Sequence, residues 1–258
     1  MLARLRETKL LLPTLMVAVA LPLLTWLGFW QLDRLAWKEG LLQAIAERST
    51  SAPVAIRQAL DQAAGHMPGG WNDLEYKHVS ARGRFLNDKE MYLYAPSLQL
   101  GPGVNVFTPF ILAETGATLI VNRGFVPDQF KNPASRAEGQ IAGETDVVGL
   151  IRLPGQQARF VPDNDPKANL WFWRDFEGMI AASFAEGARP TKLIPLFVDA
   201  EGAAPGGWPK GGTTLLNLPN RHLEYAMTWF GLAVALAAIY ILYVMQRMTP
   251  ARQPDDRA

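Results

Sequence analysis

Leu10–Trp30 reads LLLPTLMVAVALPLLTWLGFW, and Tyr225–Met245 reads YAMTWFGLAVALAAIYILYVM. Each run is 21 residues long and holds no Asp, Glu, Lys or Arg. A helix rising about 1.5 Å per residue needs about 20 apolar residues to cross a hydrocarbon core about 30 Å thick. Two such runs in a chain of 258 residues predict a protein anchored twice in a lipid bilayer. The stretch between them, Gln31–Glu224, must fold with both ends held at one membrane face. Its 194 residues are enough for one well-cored domain.

The first run exceeds the about 7–15 residues of a signal-peptide apolar region, and Gln31–Lys38 reads as continuing helix rather than as a cleavage site. It is expected to stay as an anchor. Arg4, Arg6 and Lys9 precede it, and Arg247, Arg252 and Arg257 follow the second run. Arg34, Lys38, Arg48, Lys210 and Arg221 lie on the loop side. The density of cations favours cytoplasmic tails, residues 1–9 and 246–258, and an exported domain over 31–224.

Composition excludes several classes. A formal net charge of +1 gives no electrostatic footprint for nucleic acid. With no Cys there is no disulfide, no thiolate metal site and no covalent c-type haem attachment. The eight Met form no local His/Met cluster for copper. G-x-S-x-G, H-E-x-x-H, S-x-x-K and P-loop signatures are absent, so the chain is not expected to be an enzyme.

Trp30, Arg34, Trp37, Leu41 and Ile45 recur at helical spacing, which extends the first helix over 31–48. Trp26, Trp30 and Trp37 suit an interfacial aromatic belt. Val54–Ala64 is a candidate short helix. From Lys77 the pattern turns to short β-branched and aromatic runs punctuated by Gly, Pro, Asn and Asp. They are Lys77–Phe85, Glu90–Ala95, Val104–Leu112, Ala117–Val126, Asp146–Arg152, Asn169–Arg174, Lys192–Asp199 and Thr213–Leu216. Asp175–Ala185 reads as a helix. The expected fold is a membrane protein in which two transmembrane α-helices flank a mainly antiparallel β domain, a small barrel or sandwich, with one or two short helices.

His66, His78 and His222 show no local metal spacing, and the first two read as loop and strand residues. Asn220 is a good cap for the second membrane helix, which puts His222 in its first turn. His222, Tyr225, Ala226 and Trp229 then share one face at the membrane surface. The positive helix end disfavours imidazolium, and a neutral His keeps a lone pair for a metal. Anchoring the helix at the interface is the competing role.

Other residues also carry two readings. Arg123 alternates with Val121 and Phe125, so it is expected to point inward and to need an acceptor there. Trp171, Phe172 and Trp173 suit either a ligand platform or a core. Arg34, beside Trp30 and Gln31, suits either lipid phosphate or a ligand carboxylate.

Leu27–Leu35 with Trp37-Lys38, Val121–Pro127, Asn169–Asp175 and His222–Trp229 together resemble the surfeit locus protein 1 family of cytochrome c oxidase assembly factors. Their order and their placement beside the two apolar runs match the family end to end. Arg221 is a departure, since an uncharged polar residue often precedes the family His. The resemblance implies a multi-pass protein of the bacterial inner membrane with its large domain in the periplasm, or of the mitochondrial inner membrane in a eukaryote. It implies haem a as cargo, with haem a synthase and the oxidase core subunit as partners. His222 is then the axial ligand of the haem iron, with Tyr225, Trp229, Trp30 and Arg34 around the cargo. Asn122, Arg123, Gly124, Trp171 and Trp173 fall to structural or partner-binding roles. The alternative is a membrane-anchored scaffold that stabilises an immature oxidase subunit without carrying haem.

Overall fold

The computed structural model describes residues 10–65, 70–97, 99–185, 187–212 and 219–248. The tails 1–9 and 249–258, His66 and the expected strand Thr213–Leu216 lie outside the described residues. Two units result, one drawn from Met1–Ala44 with Asn217–Ala258, the other from Ile45–Leu216.

The first unit is a helix pair. Helix α1 spans Leu11–Thr50 and carries Pro22 within it; α4 spans His222–Met248. The most apolar stretch of each helix is almost entirely exposed at the surface of the chain. Both helices are therefore long and apolar enough to cross a membrane, with apolar surface turned outward as a lipid-facing helix requires. Two hydroxyls of the first span are satisfied locally. Thr14 and Thr25 donate their hydroxyls to the carbonyls of Leu10 and Leu21, at 2.7 and 2.8 Å.

The helices run antiparallel. Thr14 meets the Tyr240 hydroxyl at 2.7 Å, Phe29 meets Phe230 edge-on at 5.3 Å, and Lys38 donates to the Pro219 carbonyl at 2.5 Å. Small residues let the backbones approach. Ala226 and Ala233 are buried, and a Cβ on Gly28 would lie 2.5 Å from the Phe230 ring.

The second unit is a β domain. Among the described residues it holds β1 (Val54–Ala55), α2 (Ile56–Gly65), β2 (His78–Phe85), β3 (Met91–Tyr94), β4 (Gly103–Leu112), β5 (Thr118–Pro127), β6 (Glu144–Arg152), β7 (Leu170–Trp171), α3 (Phe176–Ser183) and β8 (Leu193–Ala200). The sheet order is β1-β2-β6-β8-β5-β4-β3-β7, and β2 also pairs with β4. That last pairing closes a five-stranded ring, β2-β6-β8-β5-β4. The ring is antiparallel except at β5–β8. Between barrel and sandwich, the chain forms a barrel, with the Greek-key connectivity of the OB type. β4 makes closure possible by dividing its outer edge: its first half pairs with β3 and its last residues with β2.

The apolar runs sort by alternation. Leu119 and Val121 of β5, with Leu196 and Val198 of β8, join Val79, Phe110 and Ile151 in one core, which α2 covers with Ile56 and Ala59. Ile120 and Phe197 point the other way, into a second core with Trp171, Phe176, Met179 and Ile180. A strand covered on both faces is buried along its length, and β5 is buried from Thr118 to Val126. The expected strand Asn169–Arg174 shortens to the two residues of β7, because Asn164 takes the next two backbone N–H groups, those of Phe172 and Trp173, onto its side-chain oxygen. Val54 and Ala55 leave the expected helix to pair with β2.

Candidate functional site

The face that His222 heads was built by helix α4. The Arg221 carbonyl accepts the first helical hydrogen bond, from Tyr225 N at 3.2 Å. Asn220 stands one residue earlier, and its side-chain oxygen accepts the His222 backbone N–H at 3.4 Å. The partner of the imidazole comes from α1. His222 Nδ1 lies 2.7 Å from Gln31 Oε1, and Gln31 is buried at 9% exposure. Gln31 and Lys38 are seven residues apart, on one face of α1. One engages the His222 ring and the other the Pro219 carbonyl, so α1 holds both the imidazole and the chain leading into it.

The other expected site residues are placed unevenly. Trp229, two turns along α4, is half-buried, and its Nε1–H is buried without a partner among the described residues. An unpaired buried donor is costly, so this group is open to an acceptor supplied from outside the chain. Tyr225 is 54% exposed and Trp30 is 43% exposed. Arg34 is exposed, its guanidinium 4.3 Å above the Trp37 ring. Gln31 was not among the expected ligand-binding residues. Its signal in the sequence was weak: one amide beside Trp30 at the end of an apolar run.

The expected residues of the β domain lie apart in the fold. β5 carries a bulge: Val106 pairs with Gly124 and Phe107 with Asn122, leaving Arg123 as the extra residue. The alternation that would align Arg123 with Val121 and Phe125 breaks there. Arg123 enters a buried polar cluster rather than an apolar interior. It donates to Glu90 at 3.3 Å, to Asn87 at 3.1 Å and to the Gly139 carbonyl, with the Phe85 ring 4.5 Å away. Arg136 also grips Glu90, at 3.0 and 2.5 Å, and Gln140 donates to it at 2.9 Å. Burial pushes the Arg123 guanidinium down to about 10, against the pull of Glu90, and Arg136 adds to the lowering. Burial and the Glu90 charge push the Tyr92 phenol up to about 12.

Asn122 donates to Asp199 at 3.0 Å and accepts from Gly124 N at 3.1 Å. Asp199 also draws Arg152 and Arg174, at 3.5 and 3.7 Å, and Glu75 takes Arg152 at 2.8 Å. Burial works to lower Arg152, but the Glu75 hydrogen bond and the charges of Asp199 and Glu75 outweigh it and raise the group. Arg174 is lowered, by burial and by Arg152. Gly124 has φ +114°, and a Cβ there would run into the Lys210 carbonyl. Trp171 is fully buried, its Nε1 donating to Asn169 at 3.1 Å. Phe172 leans on Tyr94 at 6.0 Å, and Trp173 is half-buried. The three aromatics therefore part company. His78 is held by the Ser51 carbonyl at 2.7 Å and by Glu201 at 3.2 Å. Among the described residues no three His, Asp or Glu cluster as a metal site.

The profile of the SURF1 family matches residues 18–234. The chain is 35% identical over 238 residues to Surfeit locus protein 1 of Mus musculus, which covers 86% of this chain and 72% of that one. It is 37% identical over 232 residues to Surfeit locus protein 1 of Homo sapiens, covering 83% and 71%. It is 34% identical over 238 residues to the SURF1-like protein of Drosophila melanogaster, covering 86% and 74%. A matched stretch that runs from inside the first apolar helix, through the barrel, to the middle of the second places the chain in the SURF1 family.

Proposed function

We propose that this protein is a cytochrome c oxidase assembly factor that binds haem a and presents it to the oxidase core subunit, with no turnover of its own. Membership of the SURF1 family supports the assembly role. The haem reading is carried by one observation: the His222 imidazole is held through Nδ1 by Gln31 at 2.7 Å, which leaves Nε2 as the ring's second functional atom. The donor set suits the cargo. Haem a is large and apolar with anionic propionates. His222 offers an imidazole to iron, and Tyr225 and Trp229 offer apolar cover on the same helix face. The unpartnered Trp229 Nε1–H offers a hydrogen bond to a polar group of the macrocycle. Arg34, with Trp30 close by in sequence, offers a cation to a propionate. Haem a synthase is the donor in this scheme. The membrane is the bacterial inner membrane with the β domain in the periplasm, or the mitochondrial inner membrane.

The test is to purify wild type and His222→Ala in mild detergent from cells that make haem a, and to record oxidised and reduced spectra. Haem a bound by the wild type, and lost or spectrally altered in folded His222→Ala, is the expected result. Colourless, folded wild type from the same cells would transfer the role to a scaffold that holds the immature subunit through its own surfaces.

A further inference from the structure

The geometry points to Gln31 as the positioning residue that decides which nitrogen of His222 is the donor and how strongly it donates. The identity of the metal rests on the haem reading; the choice of nitrogen does not. An amide oxygen has no proton to give, so Gln31 Oε1 can only accept, and Nδ1 must carry the hydrogen of the 2.7 Å contact. A neutral imidazole has one N–H and one lone pair, which leaves the lone pair on Nε2. Gln31 is well placed to hold that state. It is buried at 9% exposure on a helix packed against α4, so its acceptor is shielded from competing water. The backbone that carries the ring is anchored as well. Lys38 ties the Pro219 carbonyl to α1, and Asn220 receives the His222 backbone N–H.

The chemistry of the partner sets the strength of the donor. A carboxylate behind a ligating His pulls on the Nδ1 proton and raises the basicity of Nε2. An amide gives the same orientation with a weaker pull. A carrier must release what it binds, and a neutral partner makes the weaker, reversible bond. Gln31 therefore acts through His222: it fixes the tautomer and keeps donation moderate.

The first readout needs no haem. Histidine-labelled protein without haem, in detergent at about pH 8.5, some two units above the ordinary imidazole value, reports which ring nitrogen is protonated by nitrogen-15 NMR. The His222 signals are identified by their loss in His222→Ala. The wild type is expected to carry the proton on Nδ1, Gln31→Glu to retain it there, and Gln31→Leu to admit the Nε2–H form. A wild type protonated on Nε2, or a folded Gln31→Leu with an unmoved tautomer, overturns the assignment. The second readout uses haem a-loaded protein. Gln31→Leu should weaken binding about 10- to 100-fold and lower the iron–histidine stretching frequency. Gln31→Glu, nearly the same shape, should raise that frequency, lower the midpoint potential and slow release to an acceptor. One frequency in all three proteins overturns the tuning role. Colourless wild type with its proton on Nδ1 would defeat the haem reading and still uphold Gln31 as the residue that sets the tautomer.

Discussion

Arg123 and Glu90 meet at 3.3 Å with side chains only 4% and 2% exposed. Arg136 closes on the same carboxylate, so two guanidinium groups share one buried anion. Buried cations are tolerated when each N–H finds an acceptor, and here carbonyls make up the deficit. Gly139 receives Arg123, and Phe130 receives Arg136 at 2.9 Å. The cluster ties the bulge of β5 to Asn87 and to the Pro133–Gly139 turn, so a barrel strand and two connections depend on one carboxylate.

Glu90→Gln keeps the shape and removes the anion. It leaves two buried guanidinium groups uncompensated and is expected to cost about 3–5 kcal/mol. Denaturant unfolding of the detergent-solubilised chain, followed by near-ultraviolet circular dichroism, checks this. A loss below about 1 kcal/mol would mean that the carbonyls alone hold the cations.

Gly28→Val should loosen the helix pair, because its Cβ would lie 2.5 Å from the Phe230 ring. Overpacking of this kind costs about 1–3 kcal/mol. Phe230→Ala in the same chain should recover part of the loss. Thermal melts of both variants in one detergent decide it: a double variant no more stable than Gly28→Val would show that the ring is not the obstacle.

Gly124→Ala meets two obstacles at once. Its φ of +114° disfavours any side chain, and the new Cβ would enter the Lys210 carbonyl. The backbone term alone is about 1–3 kcal/mol. The expected result is a lower melting temperature for the β signal, together with loss of amide-exchange protection at Phe125 and Lys210, which bond each other at 2.9 Å in both directions. Unchanged protection at that pair would contradict the account.

Tyr92 supplies a pH dependence. Its folded-state value of about 12 stands above the ordinary 10, so the fold favours the neutral phenol. That stabilisation is complete below about pH 10 and is lost as pH climbs from there through about 12. Tyr92→Phe lacks it, so the stability gap between wild type and Tyr92→Phe should narrow across this window. Arg123, lowered to about 10, is common to both proteins and drops out of the comparison. Paired unfolding curves at pH 9 to 12 check the prediction, and a constant gap would refute it.

The spans, the barrel strands and the place of His222 were legible because each is a local pattern. An uncharged run, a period-two run bounded by turns, and a cap followed by an apolar helix need no distant partner to be recognised. Arg123 shows where that logic stops. Its alternation with Val121 and Phe125 is plain in the sequence, but the bulge that takes it out of step depends on pairing with Val106 and Phe107 of another strand.

The sequence by itself determined two membrane-length helices, a β-rich domain between them and a His at the head of the second helix, since hydrophobic length, alternation and capping act within a few residues of chain. Only the tertiary structure decided that the strands close into a barrel, because closure turns on β4 sharing its edge between β2 and β3. It also decided that Glu90 serves two arginines and that Gln31 meets His222 across 191 positions of sequence. Contacts of that kind follow from the register in which helices and strands pack, and no short stretch of sequence specifies it alone.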